Sequence, residues 1–136
     1  TKSGPTGTLR ESETFHIGYA KAEAGYRAAR ALVYETWRDI EESLDRGDPA
    51  STRQLSLARL ALNNATWTVA DVCQFAYRAG GGIALRQGVI QRYFRDMQAA
   101  TQHVTSSTPV LRECGRELAG FAKGQVWGFI GLIDAH

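Results

Sequence analysis

His103 carries the most versatile chemistry in the segment RAGGGIALRQGVIQRYFRDMQAATQH, residues 78–103. An imidazole can donate or accept a proton near neutral pH, so it can act as a general acid or base. The spacing predicts a helix on which four residues share one face: Asp96, Ala99, Ala100 and His103. The two alanines would leave room for a flat ligand beside the ring. The alternative interpretation is a partly buried structural histidine that is hydrogen-bonded to a neighbouring helix.

Three consecutive glycines, Gly80, Gly81 and Gly82, precede this helix. Glycine commonly ends helices and forms turns, which is the structural interpretation. Three together exceed what a helix end requires, and a bare backbone can approach a phosphate or nucleotide closely. There is no GxGxxG or Walker pattern around them. Arg95 and Asp96 can likewise be read as a ligand-binding pair or as an exposed ion pair, and the structural interpretation is favoured.

Other constellations are excluded by spacing. His16, His103 and His136 are far apart, and no HExxH motif is present, so the sequence predicts no metal site. Cys73 and Cys114 are not part of a CxxC motif, and neither has a histidine beside it in sequence. Both are expected to be core residues within helices.

The composition is that of one ordinary globular domain of 136 residues, with 43% hydrophobic and 22% charged residues. The formal net charge is +2, and basic residues alternate with acids, as in RDIEESLDR. This pattern argues against a nucleic-acid surface. No run approaches the roughly 20 apolar residues of a membrane span, and no signal-peptide pattern is visible. We therefore predict a cytoplasmic protein with no nucleic-acid or membrane partner.

Helical periodicity runs through most of the chain and predicts an all-α fold. The first helix is expected over residues 10–46, with a stripe at Ala22, Tyr26, Ala29, Val33, Trp37, Ile40 and Leu44. Gly47 and Pro49 stop it. The second helix, residues 52–79, begins with a Ser51–Gln54 capping box. It has a seven-residue repeat at Leu55, Leu62, Val69 and Ala76. Such a repeat is typical of helix bundles.

Two shorter helices are predicted next, over residues 90–104 and from Thr108-Pro109 to about residue 119, and no strand is predicted. Short loops make the helices antiparallel neighbours. Two long and two short helices close a bundle poorly, so an upstream helix or another subunit is expected to complete the core. We divide the chain into a linker (1–9), a helical bundle (10–120) and an apolar C-terminal extension (121–136), which is expected to dock.

Three motifs in this order resemble a known family: AKAEAGYRAARALVYE (20–35), VCQFAYRAGGG (72–82) and IQRYFRDMQAATQH (90–103). Together they resemble the C-terminal helical domain of acyl-CoA dehydrogenase-like flavoenzymes, over roughly residues 14–120. The closest branch is the two-component flavin-dependent monooxygenases. The resemblance implies a four-helix bundle that here lacks its first helix. It also implies N-terminal and middle domains elsewhere in the protein, and assembly into a dimer of dimers.

The resemblance also implies a flavin site. In such enzymes, reduced FMN or FAD is supplied by a separate flavin reductase. The glycine turn, here Gly80, Gly81 and Gly82, approaches the flavin of a partner subunit. The histidine, here His103, lines the flavin and substrate cavity, where it positions the substrate and assists proton transfer. Arg92 is a candidate flavin or substrate contact.

The leading hypothesis is therefore part of a monooxygenase that acts on an aromatic or similarly flat small molecule. An acyl-CoA dehydrogenase is the alternative, although GGIALRQGVIQRYF (81–94) has no acidic residue where many of those enzymes carry a catalytic glutamate. Gln87-Gly88 also stands where the monooxygenases often have Ser-Pro. A non-catalytic, oligomerising helical module is the third hypothesis. In each case the chain alone is expected to be inactive.

Overall fold

The computed structural model describes residues 8–136 and is predominantly helical. Its elements are α1 (Glu13–Asp45), α2 (Thr52–Ala79), α3 (Gly81–Ala84), α4 (Val89–Ala100), α5 (Thr108–Leu118), β1 (Gln125–Trp127) and β2 (Leu132–Asp134). Single 3-10 turns lie at Leu9–Glu11 and Val104–Ser106. The all-α prediction is confirmed. The prediction that no strand occurs is wrong, because β1 and β2 form a short antiparallel hairpin.

Local chemistry at the ends of α1 and α2 explains their boundaries. Ser12 caps α1 by accepting a hydrogen bond from the Phe15 amide. Gly47 follows α1 with φ of 83°, a left-handed conformation that glycine adopts without strain. The predicted capping box at α2 is confirmed, since Ser51 accepts from the Gln54 amide and Gln54 accepts from the Ser51 amide. These signals fix the antiparallel α1–α2 pair.

The caps of the shorter helices differ from the sequence prediction. The residue that caps α5 is Ser107, so Thr108 already belongs to the helix and its proline lies within the first turn. Proline is tolerated there because the first amides have no intrahelical acceptor. The third predicted helix is shorter than expected, since α4 ends at Ala100. The consequence for His103 is described below.

α2 is the central helix and uses two of its sides for packing. Its first side contacts α1 along most of its length. Its second side carries α4, α5 and the 3-10 turn between them. On that side Tyr77 stacks on Phe94 with ring centroids 4.4 Å apart. Farther along, Asn63 and Trp67 donate hydrogen bonds to backbone carbonyls of residues 105–107. These buried polar contacts fix the register of the turn that follows α4.

The predicted stripe on α1 is only partly correct. Four residues form its buried line: Ala29, Thr36, Ile40 and Ser43. By contrast, Tyr26, Trp37 and Leu44 are about half exposed, at 45%, 45% and 56%. Apolar spacing alone does not predict this line, because two of its four residues, Thr36 and Ser43, are small and polar. Ser43 belongs to the interface because its hydroxyl accepts a 2.7 Å hydrogen bond from the Gln54 side chain.

A third side of α2 is uncovered. The seven-residue repeat that predicted packing is partly exposed, with Leu55 at 37% and Leu62 at 43%. It adjoins the half-exposed residues of α1, because Ala22 and Tyr26 of α1 share a groove with Ala76 of α2. We call this surface the open face. Within the described residues, it is an apolar bundle surface without a covering helix.

The accessible area shows the scale of this incompleteness. The chain exposes 9847 Å², whereas a compact monomer of 14.9 kDa exposes about 7,000 Å². Setting aside roughly 1,000 Å² for residues 1–7, the most that a peptide of that length can expose, leaves an excess of roughly 1,800 Å². A standard protein interface buries about 800 Å² on each partner. The excess is thus large enough for more than one interface.

Residues 121–136, the C-terminal hairpin, pack on α2 and α5. The Trp127 indole donates a 2.8 Å hydrogen bond to the buried Ser56 hydroxyl. The Arg59 guanidinium lies 4.3 Å from the centre of the Trp127 ring and donates to the carbonyls of Gly128 and Phe129. The apolar extension therefore docks on its own chain, against the same side of α2 that carries α5.

Two glycines on the buried side of α1 provide a matched test of this packing. A Cβ on Gly18 would lie 2.5 Å from Cε2 of Phe75, whereas a Cβ on Gly25 would make an ordinary 3.4 Å contact with Thr68. We expect Gly25→Ala to raise the free energy of unfolding by about 0.5–1 kcal/mol through helix propensity. Gly18→Ala should lower it by about 1–2 kcal/mol, because the Phe75 ring must move. Chemical denaturation of both variants measures the difference, and equal effects would contradict this packing.

Candidate functional site

His103 lies beyond the end of α4. The helix stops at Ala100, where the Thr101 hydroxyl bonds to the Gln98 carbonyl, and His103 is the N-cap residue of the following 3-10 turn. The prediction that His103 shares a helical face with Asp96, Ala99 and Ala100 is therefore wrong. The physical reason is local, since threonine hydroxyls and histidine caps offer backbone groups partners that compete with helical hydrogen bonds.

The imidazole of His103 is exposed and has a defined orientation. Nδ1 accepts a 3.3 Å hydrogen bond from the Thr105 amide and lies 2.8 Å from the Thr105 hydroxyl oxygen. An amide can only donate, so Nδ1 has no proton in this arrangement. The neutral ring therefore carries its proton on Nε2. This atom has no hydrogen-bond partner among the described residues, and it can donate to a ligand.

The glycine turn is explained only in part by the fold. A Cβ on Gly80 would lie 3.0 Å from the Ala84 Cβ, and Gly81 has φ of 53°, so each has a steric or conformational reason to be glycine. Gly82 has neither reason, because a Cβ there would meet nothing within 4 Å. Next to it, Ile83 is 76% exposed and Leu85 is 69% exposed. The turn therefore presents bare backbone and apolar side chains outward.

A groove of about 490 Å³ leads up to the glycine turn. It lies between the first half of α1 and the last part of α2. Its walls are mostly aromatic and aliphatic: Leu9, Phe15, Tyr19, Ala22, Tyr26, Val72, Phe75, Ala76, Ala79 and Ile90, with Glu23 and Gly80 at its edges. The Phe15 ring stacks on those of Tyr19 and Phe75, at centroid distances of 5.9 and 5.8 Å. This groove is not among the features predicted from the sequence, although the aromatic residues at positions 15 and 19 are a signal for it.

The candidates on α4 are solvent-exposed. Arg92 lies about one turn after the start of α4, and its guanidinium lies 5.5 Å from the Tyr93 ring centre. Arg95 and Asp96 approach to 4.0 Å with side chains 73% and 60% exposed. An ion pair of this kind contributes little to stability. Arg92 is therefore free to reach a ligand, and the Arg95–Asp96 pair does not fasten α4 to the bundle.

The structure divides the predicted site residues into two groups. The glycine turn and Arg92 lie at the start of α4, whereas His103 follows its far end. A helix of this length spans about 18 Å. One small ligand cannot contact both groups within a single chain. Within residues 8–136, the two groups therefore do not form one small-molecule site.

Other titratable groups offer little alternative chemistry. Burial raises the pKa of the Cys73 and Cys114 thiols, which makes both poor nucleophiles at neutral pH. Among residues 8–136, no three His, Cys, Asp or Glu side chains are arranged to hold a metal ion. No helix in the same range is long and apolar enough to cross a membrane. His103 thus remains the candidate for proton transfer, and the glycine turn remains the candidate for ligand binding.

Sequence comparison identifies the family of this chain. Residues 2–108 match the family described as "Acyl-CoA dehydrogenase, C-terminal domain". An indole-3-acetate monooxygenase from Pseudomonas putida is 30% identical over 113 residues, which cover 82% of this chain and 29% of that enzyme. The chain thus spans less than a third of the length of this relative. The family match covers most of the chain, includes both groups of candidate residues and confirms the resemblance seen in its motifs. The chain belongs to the acyl-CoA dehydrogenase C-terminal domain family.

Proposed function

We propose that this chain acts as the C-terminal helical bundle of a flavin-dependent monooxygenase that oxygenates an aromatic or similarly flat organic molecule. The observation that carries the proposal is the likeness, over 82% of the chain, to an enzyme named for indole-3-acetate monooxygenation. Reduced FMN or FAD, delivered by a separate flavin reductase, would supply the electrons for oxygen activation when bound. The chain itself would contribute walls and polar groups to the site.

The glycine turn fits one edge of such a flavin site. Gly82 leaves backbone uncovered where no close contact with another described residue and no positive φ requires a glycine. A bare backbone admits a nucleotide closely, and the exposed Ile83 and Leu85 side chains offer apolar contact beside it. In the proposed assembly this turn, with Gly80, Gly81 and Arg92, contacts the flavin held by a neighbouring subunit. The guanidinium of Arg92 is suited to a phosphate or carboxylate.

His103 would serve a different part of the site. Its Nδ1 is engaged by Thr105, so Nε2–H is the group that can donate a hydrogen bond. In a cavity closed by other domains, this donor would orient a polar substituent of the substrate and help to move a proton. The protein would also exclude water from the reacting atoms. His103 is thus the proposed catalytic residue of this chain.

The open face supports an assembly in which other chain segments complete the bundle. Leu55 and Leu62 on this face are partly exposed, and the excess area of roughly 1,800 Å² exceeds what one partner buries in a standard interface. We infer that upstream N-terminal and middle domains of the same protein, together with further copies in a dimer of dimers, cover this surface. The isolated chain would then be inactive because it holds only edges of the site.

Two other functions differ in testable ways. An acyl-CoA dehydrogenase needs a carboxylate base, and residues 81–95, from the glycine turn to Arg95, contain no acidic residue. Flavin reduction by an acyl-CoA without oxygen would nevertheless favour that function. A non-catalytic oligomerising module would bind no flavin in any form. The monooxygenase is the function that agrees both with the named activity of the relative and with the exposed Nε2–H donor of His103.

The test uses the longer protein that contains this domain, supplied with reduced flavin, oxygen and candidate aromatic acids. We expect His103→Ala to lower the rate of product formation by about 10²-fold or more, the usual contribution of a positioned acid or base. Oxidation of reduced flavin should continue, with hydrogen peroxide released in place of product. His16→Ala is the matched control, because His16 is also exposed and its ring bonds, among the described residues, to the nearby Arg10 carbonyl.

Product formation at an undiminished rate in His103→Ala would remove the assigned role of this residue. Failure of the unaltered protein to bind reduced flavin or consume oxygen would remove the monooxygenase function itself. The two results are separate, because the first concerns one side chain and the second concerns the whole site.

A further inference from the structure

The C-terminal hairpin lies outside the family match, which ends at residue 108. Its inner side is held by several specific contacts. The Trp127 indole reaches Ser56, and the Leu132 amide donates to the buried carboxylate of Glu113. The Thr52 hydroxyl donates to the Gln125 carbonyl. A short hairpin is marginal by itself, so this one owes its shape to these anchors.

The outer side of the hairpin is apolar as well. Val126 and Ile133 are paired directly across β1 and β2 and are 40% and 53% exposed. The Ile133 side chain extends over Gly128, next to Phe129 at the tip. Phe129 is 79% exposed and Ile130 is 39% exposed. We call Val126, Phe129, Ile130 and Ile133 the outer patch.

A hairpin with one face in water normally alternates apolar and polar side chains. Here Trp127 and Leu132 point inward while Val126 and Ile133 point outward, so both faces carry large apolar side chains. Strands that are apolar on both faces are typical of sheets covered on both sides. The inner side has its cover in α2 and α5. The outer patch lacks an equivalent cover among the described residues.

The exposed area of the outer patch can be compared with the area that one partner buries in a dimer interface. Phe129 alone exposes roughly 150 Å², and the four residues together expose roughly 350–400 Å². Apolar patches of this size on single chains are often functional. A stable interface buries about 800 Å² per partner, of which somewhat more than half is apolar. The outer patch therefore supplies most of the apolar part of one standard contact, and its polar border would supply the rest.

The charges of the hairpin favour a second copy as the occupant. Within residues 121–136 the side chains of defined charge at neutral pH are one base, Lys123, and one acid, Asp134. A two-fold contact between such nearly neutral surfaces brings no excess of like charge together. Such isologous contacts are also the commonest way in which identical chains pair. We propose that two copies of this protein pair through the outer patches of their C-terminal hairpins.

This contact is distinct from the open face, which lies on another side of α2. The proposal does not depend on flavin chemistry, and it holds for a catalytic or a non-catalytic protein. The proposal gives a role to the hairpin, a segment that lies outside the residues matched by the family. The rigid inner anchors would then present the outer patch in a fixed geometry, which lowers the entropy lost on association.

The test is sedimentation equilibrium of the 136-residue chain over a wide concentration range. We expect self-association that Ile133→Lys weakens at least 10-fold in Kd, because a lysine would be buried against apolar partners. Phe129→Ser should act in the same direction and, being at an exposed tip, should leave the fold intact. Leu111→Lys is the matched control: Leu111 is 43% exposed on α5 and outside the patch, and its substitution should leave the Kd unchanged.

Trp127 fluorescence in each variant reports whether the hairpin is still seated on α2. A chain that stays monomeric to roughly 100 µM, a concentration well above a micromolar Kd, would overturn the proposal. So would association that Leu62→Lys on the open face abolishes while Ile133→Lys and Phe129→Ser leave it intact. Neither result bears on flavin binding, so failure here is distinguishable from failure of the monooxygenase function.

Discussion

Replacing Glu113 by glutamine is expected to lower the free energy of unfolding by about 2–3 kcal/mol at neutral pH. Glu113 is only 6% exposed. Its carboxylate accepts hydrogen bonds from the Leu132 amide, Arg112 and Arg116, at 3.2, 3.3 and 2.8 Å. Glutamine keeps the shape but cannot accept from all three donors. The arginines are partly exposed and recover water, which keeps the loss at the lower end for a buried ion pair.

The pH dependence of this loss provides a second readout. Burial opposes the charged form of Glu113, but the Leu132 amide and the two arginines outweigh it and lower the pKa of this carboxyl. A lowered folded-state pKa contributes stability above the unfolded value of about 4.3, and this contribution disappears as pH falls through the folded-state pKa. The difference between wild type and Glu113→Gln should therefore be full at neutral pH and shrink below about pH 4.

Urea denaturation of both proteins between pH 3 and 7 measures this prediction. The matched control is Glu23→Gln, which breaks an exposed ion pair with Arg27 on α1. Exposed i,i+4 pairs contribute about 0.3–0.5 kcal/mol, so the control should change little. A Glu113→Gln loss that persists unchanged at pH 3 would show that charge is not its cause.

Trp127→Ala should have an effect of similar size, about 2–4 kcal/mol. The substitution removes the ring that packs against the Arg59 guanidinium of α2, together with the indole donor to Ser56. Ser56 itself keeps a partner, because its hydroxyl also bonds to the Thr52 carbonyl. The cost is therefore mainly lost packing. The C-terminal hairpin should detach before the α1–α2 pair unfolds, since its anchors depend on this residue.

Hydrogen exchange of backbone amides can follow the two regions separately. In Trp127→Ala we expect fast exchange in β1 and β2 and near-native protection in the middle of α2. Trp127→Phe is the matched variant, since it keeps a ring and loses only the hydrogen bond, at a cost of about 1 kcal/mol. Uniform loss of protection in the Trp127→Ala protein would contradict a separable hairpin.

The parts of the fold that sequence predicts well are those set by local signals. The bounds of α2 and the Ser51–Gln54 capping box follow from neighbouring residues alone. The short strands were missed because three residues of mixed burial carry almost no alternation. α4 was predicted too long because Thr101 and His103 bond locally to the backbone, an effect that apolar spacing does not contain.

For the candidate site, the sequence predicts which residues take part and their order along the chain, but not their arrangement in space. The motifs identified the glycine turn and His103, but the separation of about 18 Å along α4 is a property of the folded chain. The orientation of His103 depends on Thr105, which the motif did not include. The aromatic groove needs α1 and α2 side by side, so it is invisible to either helix alone.

The sequence distances of the hairpin anchors have a consequence for folding order. α1 and α2 are joined by residues 46–51, whereas the bonds from Thr52, Ser56 and Arg59 to the hairpin connect positions about 70 residues apart. Closing the longer loop costs roughly 2 kcal/mol more in chain entropy. We therefore expect the α1–α2 pair to form early and the hairpin to dock late. The N-terminal part of α2, residues 52–59, then stays accessible to solvent during most of folding.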